Sequence, residues 1–146
     1  MTRLNLVPVE ELTDQHLFAE FREIKMVPQS LKRSINARGV QAVLNKIPDN
    51  FTLNKNHVTF FYDKGLYLVK RYDALKDELR KRNYNVNFDA PMDREFVYIN
   101  AGKEFINDYK PTPQALALVR ERIAQRISLK PHWYRTTFVD RKSSKL

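Results

Sequence analysis

Residues 58–83 read VTFFYDKGLYLVKRYDALKDELRKRN, and this stretch decides the fold. Phe61, Leu68, Tyr72, Leu75 and Leu79 recur at steps of seven, four, three and four. That spacing is one apolar face of a helix, and paired Lys/Arg and Asp/Glu fill the opposite face. The stretch is predicted to be the longest helix of the chain. Gly65 inside it costs up to about 1 kcal/mol relative to alanine, which predicts close packing or a local bend at that point.

Toward the N-terminus a shorter helix is announced by Thr13 or Asp14 as N-cap, with Leu17, Phe18, Phe21 and Ile24 on one face. Pro28 is expected to end or kink it. A second short helix, Gln29 to about Ala37, continues the same direction, because proline is tolerated in a first helical turn. Gly39 then turns the chain, Val40 to Ile47 forms one or two more helical turns, and residues 48–56 are predicted to be an irregular loop. Toward the C-terminus, residues 84–110 show no clean period and are expected to form a long connection with one helical turn near Arg94 to Val97. Thr112 as N-cap and Pro113 at the first position start the third main helix, whose face is Leu116, Val119, Ile123 and Ile127, ending near Lys130-Pro131. The expected fold is all-α. One compact domain, residues 1–140, holds three main helices joined by long loops, with the N-terminal segment packed near the first helix and a flexible basic tail at 141–146.

Composition narrows the chemistry. A chain of 146 residues can bury one substantial core, and three glycines leave few left-handed turns for a many-stranded sheet or a Gly-rich phosphate loop. The absence of cysteine removes disulfides, thiolate zinc sites, iron–sulfur clusters and thiol nucleophiles. The apolar runs fall far short of the ~20 residues of a membrane span, and Met1-Thr2-Arg3 followed by Glu10 and Glu11 is no secretion signal. A soluble, cytoplasmic protein with no membrane partner is therefore expected. The net charge of +9 is uneven. Residues 1–25 carry −2, 26–62 carry +4, 63–109 carry 0 and 110–146 carry +7, so the basic field is concentrated in the last quarter and suits a polyanion such as nucleic acid.

Taken singly, the candidate site residues say little. A glutamate such as Glu23 on an amphipathic helix is ordinarily a solvated surface group. His16, His57 and His132 have no ligand spacing, which predicts no metal. His16 precedes Glu23 by seven residues, about two turns, so both face one pocket.

Three blocks change that reading. Met1-Thr2-Arg3-Leu4-Asn5-Leu6 with Asp14-Gln15-His16-Leu17 and Ala19-Glu20-Phe21-Arg22-Glu23 closely resembles the start of the phage-type pyrimidine-dimer DNA glycosylases. His57 to Lys64 resembles the opening of that family's long helix, and Lys130-Pro131-His132-Trp133-Tyr134 its aromatic C-terminal motif. Three blocks in the right order are much harder to meet by chance than one.

The resemblance implies a monomeric repair enzyme that binds double-stranded DNA, breaks the glycosidic bond of a cyclobutane pyrimidine dimer and then cleaves the strand at the abasic site, without metal or cofactor. By the same resemblance the nucleophile is the α-amino group of Thr2 once Met1 is removed, and Glu23 is the catalytic carboxylate. An α-amino group, with an unperturbed pKa of about 7.7–8.0, supplies a neutral amine near pH 7. Arg3, Arg22, Arg122 and Arg126 match positions that hold the DNA backbone and lesion, with Gln15, His16 and Lys25 as further DNA contacts. Trp133 and Tyr134 are expected either as core residues that pack the tail over the first helix or as a stacking surface against bent DNA.

The chain departs from its best-known relatives at Ile24-Lys25-Met26, where they have Leu-Pro-Arg, and at Thr136-Thr137, where they have an aromatic pair. The missing arginine at 26 keeps open the same imine chemistry on a different lesion or an abasic site. A non-catalytic basic DNA-binding module is the remaining alternative; it accounts for the basic C-terminal region but not for Thr2 and Glu23 together.

Overall fold

The computed structural model describes residues 4–86 and 102–137. The expected turn near Arg94, the tail beyond residue 137, Thr2 and Arg3 lie outside the described residues. A short 3-10 turn, Val9–Glu11, leads to Thr13, whose side chain accepts the His16 backbone N–H and caps helix α1, Asp14–Glu23. Of the two predicted caps, threonine takes the role. The expected break at Pro28 falls earlier. Ile24 and Lys25 stay right-handed, and α2 runs Met26–Arg38 with Pro28 inside its first turn, where a missing N–H leaves no hydrogen bond unmade. Gly39, at φ 87°, then separates α2 from α3, Val40–Lys46.

The deciding stretch is helical but is not one helix. His57–Phe60 forms a single turn, α4, and the long helix α5 spans Gly65–Lys81. Tertiary hydrogen bonding makes the break. The Asp63 carbonyl accepts both the backbone N–H and the side-chain amide of Asn107, and Tyr67 N–H donates back to the Asn107 carbonyl. Asn107 follows a 3-10 turn at Lys103–Phe105 whose Phe105 is fully buried. The bend predicted from Gly65 is thus real, and Gly65 opens α5. Asn83, at φ 67°, closes it. The last helix, α6, spans Pro113–Leu129 with Thr112 as its cap and Pro113 in its first turn, as predicted.

The core lies where α1 crosses α5. Leu17 of α1, Ile24 just after it, and Leu68, Leu75 and Leu79 of α5 are all buried in one core, and the Phe21 and Tyr72 rings stack at 5.3 Å. Phe18 sits at the margin, edge-on to Tyr84 at 4.6 Å. α6 buries Ala115 and Val119 but leaves Leu118 and Leu129 exposed, so it is anchored mainly by its N-terminal half.

One buried ionic network ties the chain together. Asp14, at the start of α1, accepts from Arg82, Tyr84 and both the backbone and hydroxyl of Thr137, while Arg82 also binds Glu78 at 2.9 Å. Burial alone pushes the Asp14 carboxyl up, yet hydrogen bonds from Thr137, Tyr84 and Arg82 outweigh it and hold its pKa below the usual 3.8. A lowered folded-state pKa means stability that is present above the unfolded value and lost as pH falls through the folded one. Asp14→Asn is accordingly expected to lose roughly 3 kcal/mol in urea unfolding at pH 7, with a shallower decline than wild type below pH 4.

Candidate active site

The N-terminal segment is hooked onto the core by a set of polar contacts to residues far along the chain. Leu4 N–H donates to His57 Nε2 at 3.0 Å, and His57 Nδ1 meets the Thr52 carbonyl at 2.7 Å. Since a carbonyl can only accept, Nδ1 carries the proton of this buried ring and Nε2 is left free to receive Leu4. Asn5 N–H donates to Glu20 Oε1. Glu20, fully buried, is gripped by Arg71 through Nε at 2.6 Å and Nη2 at 2.9 Å, and Arg71 Nη1 reaches the Val7 carbonyl at 2.6 Å. Leu6, between these anchors, takes φ 57° and turns the chain. Burial lowers the tendency of Arg71 to hold its proton, but Glu20 prevails and the guanidinium stays charged.

Beside this hook lies a cleft of about 340 Å³, walled by Asn5, by His16, Glu20 and Glu23 of α1, by Arg122 and Arg126 of α6, and by Tyr134 of the tail. Glu23 is half-buried at its rim. Arg122 also lines the adjoining groove with Leu53 and Asn54. The His16 ring stacks on Tyr134 at 4.7 Å with only 7° between planes. Burial first, then the nearby Arg126, depresses the His16 pKa, with Glu20 opposing, so the ring is neutral at pH 7.

Of the residues predicted from sequence, His16, Glu23, Arg122, Arg126 and Tyr134 converge here although they lie up to 118 positions apart in the chain. Arg22, Gln15 and Trp133 meet instead in a neighbouring cleft of about 350 Å³, which shares Ala19 of α1 with the first. Neighbouring helix positions diverge by about 100°, which turns Arg22 toward the second cleft while Glu23 lines the first. Gln15 is occupied in fastening the tail. Its amide donates to the Trp133 carbonyl and its carbonyl accepts from Arg135 N–H. Trp133 corrects the core expectation: the tail does pack over α1, through bonds to Asp14 and Gln15 and the Tyr134 ring on His16, but the indole is 56% exposed. Lys25 lines neither cleft. Its ammonium lies 5.2 Å above the Phe21 ring and 5.7 Å above Tyr72. Met26, in place of the relatives' arginine, is 49% exposed.

Sequence reasoning missed Glu20, Arg71 and His57. A signal was present for two of them. Glu20 falls three residues after Leu17 and Arg71 three after Leu68, at core-facing positions of their helices, where single opposite charges imply a buried pair. No group of three or more His, Asp or Glu is placed to hold a metal among the described residues, and no described helix is long and apolar enough to cross a membrane.

The hook, α1 and α5 all fall within one region of similarity. Residues 1–92 match the family model described as pyrimidine dimer DNA glycosylase, which is more than half of the chain, and the chain belongs to that family of DNA repair enzymes.

Proposed function

We propose that the protein excises cyclobutane pyrimidine dimers from duplex DNA and then cleaves the strand at the abasic site, using the α-amino group of Thr2 as nucleophile once Met1 is removed. The observation that carries this reading is the cleft itself, which sets Glu23 against Arg122 and Arg126 beside the anchored N-terminal segment. Leu4, two residues after the amine, is held by His57. Two peptide units of about 3.8 Å each then limit how far the Thr2 backbone can stray from that anchor.

In this scheme the neutral amine attacks the anomeric carbon of the damaged nucleotide and the glycosidic bond to the base breaks. Ring opening gives an imine. The imine is an electron sink, so a proton leaves the next sugar carbon and the 3′ phosphate departs by β-elimination. Glu23 steadies the cationic sugar and shuttles protons during imine formation and elimination. Arg122 and Arg126 meet phosphates, as do Arg22 and Arg3, and Lys25 adds to the basic field. The exposed Trp133 supplies a stacking face in the second cleft, where the DNA is bent. All these groups come from a single chain, so the reading needs no second copy.

Borohydride trapping on a duplex with one defined thymine dimer tests the scheme, with a form that retains Met1 as control. A covalent adduct only with the processed protein is expected. An adduct on a pre-formed abasic site but none on the dimer would refute the lesion assignment, and no adduct on either would leave the DNA-binding module as the better reading.

A further inference from the structure

The cap of α1 is bonded to its neighbour in an unusual way. Thr13 Oγ1 accepts the His16 backbone N–H at 3.1 Å and also lies 2.7 Å from Nδ1 of the same histidine. A hydroxyl has one proton and two lone pairs. Thr13 is 6% exposed, so that proton requires an acceptor within the protein. The backbone N–H is itself a donor and takes a lone pair. Among the described residues, the acceptor that remains for the hydroxyl proton is Nδ1.

We propose that Thr13 donates its hydroxyl proton to His16 Nδ1 and thereby holds the imidazole as the Nε2–H tautomer, which presents an N–H donor to the cleft beside Glu23. His16 belongs to the cleft wall, and with Nδ1 engaged by Thr13 its second nitrogen, Nε2, is the one left for a ligand there. Charged groups surround it on several sides: Arg122 and Arg126 from α6, and Glu20 and Glu23 from its own helix, while Tyr134 of the tail covers one face. The low proton affinity of the ring supports the assignment, since a neutral imidazole is the state in which the choice of tautomer matters. An N–H donor in that position suits an oxygen of the nucleotide's sugar or phosphate, whereas a bare lone pair there would repel it. Thr13 is thus a positioning residue that acts through His16, and this role in cleavage rests on the functional reading above.

Two variants separate the tautomer from the cap. Thr13→Ser keeps both the cap and the donated proton. Thr13→Asp keeps the cap, because aspartate is an equally good N-cap, but it can only accept and therefore forces the proton onto Nδ1. The nitrogen-15 spectrum of His16 at pH 7.5 is expected to show a pyridine-type Nδ1 in wild type and Thr13→Ser, and a pyridine-type Nε2 in Thr13→Asp. Single-turnover cleavage of the dimer duplex should be retained in Thr13→Ser and fall roughly ten- to a hundredfold in Thr13→Asp, the worth of one hydrogen bond to a charged partner, with folding unchanged by circular dichroism. A protonated Nδ1 in wild type overturns the proposal, as does a reversed tautomer with undiminished cleavage. If the wild type cleaves no dimer, the functional reading fails and the nitrogen spectra still decide the tautomer.

Discussion

Glu23→Gln is expected to bind dimer-containing duplex about as tightly as the parent protein while its single-turnover cleavage falls by roughly three orders of magnitude. Glutamine keeps the shape of the side chain and its half-buried place in the cleft, so the fold and the DNA contacts proposed for Arg122 and Arg126 are undisturbed. Removing a negative charge from a basic cleft does not weaken its hold on a polyanion. What disappears is the carboxylate proposed to balance a positive sugar and to move its protons. Fluorescence anisotropy for binding and gel-resolved single-turnover kinetics for cleavage separate the two effects. Cleavage that survives the substitution would remove Glu23 from the mechanism, and binding lost in parallel would make it a structural residue.

The second large effect belongs to Arg71. Replacing it by methionine leaves the fully buried Glu20 carboxylate without its partner and deprives the Val7 carbonyl of a donor. Breaking one side of a buried ion pair costs about 3–5 kcal/mol. Urea unfolding should report that loss, with a drop in Tm of roughly 10 °C. The double variant Glu20→Met, Arg71→Met should regain much of the stability, because an apolar pair carries no unpaired charge. It should not regain imine formation. Asn5 N–H still lacks the Glu20 acceptor, so the hook that leads to the N-terminal amine is loosened, and borohydride trapping on an abasic duplex should be slow in a protein that is folded. A loss below about 1 kcal/mol in the single variant would reduce the pair to a surface-like contact.

These two residues mark the difference between what is local and what is not. Helical period, the threonine caps at 13 and 112, the glycine turn at 39 and the proline in α6 are all set within about four residues along the chain. They were legible directly, apart from the choice between Thr13 and Asp14 at the first cap, and with them the all-α class. Glu23 and the arginines of α6 were legible through resemblance, and their meeting was not. Gly65 announced a bend between α4 and α5, but the break itself depends on Asn107, more than forty residues after Asp63, which no local pattern announces.

The sequence by itself determined which segments are helical, which residue types are present for amine and carboxylate chemistry, and that the basic charge gathers toward the C-terminus. Tertiary structure alone decided that the face of α1 with His16 and Glu23 is walled by α6 and Tyr134, that Arg22 and Trp133 line a neighbouring cleft, and that the N-terminal hook is tied to Glu20, His57 and Arg71. The physical reason is range. Capping and helical period act between neighbours in sequence, whereas a cleft exists only after loop-closure entropy has been overcome by the burial of α1 against α5.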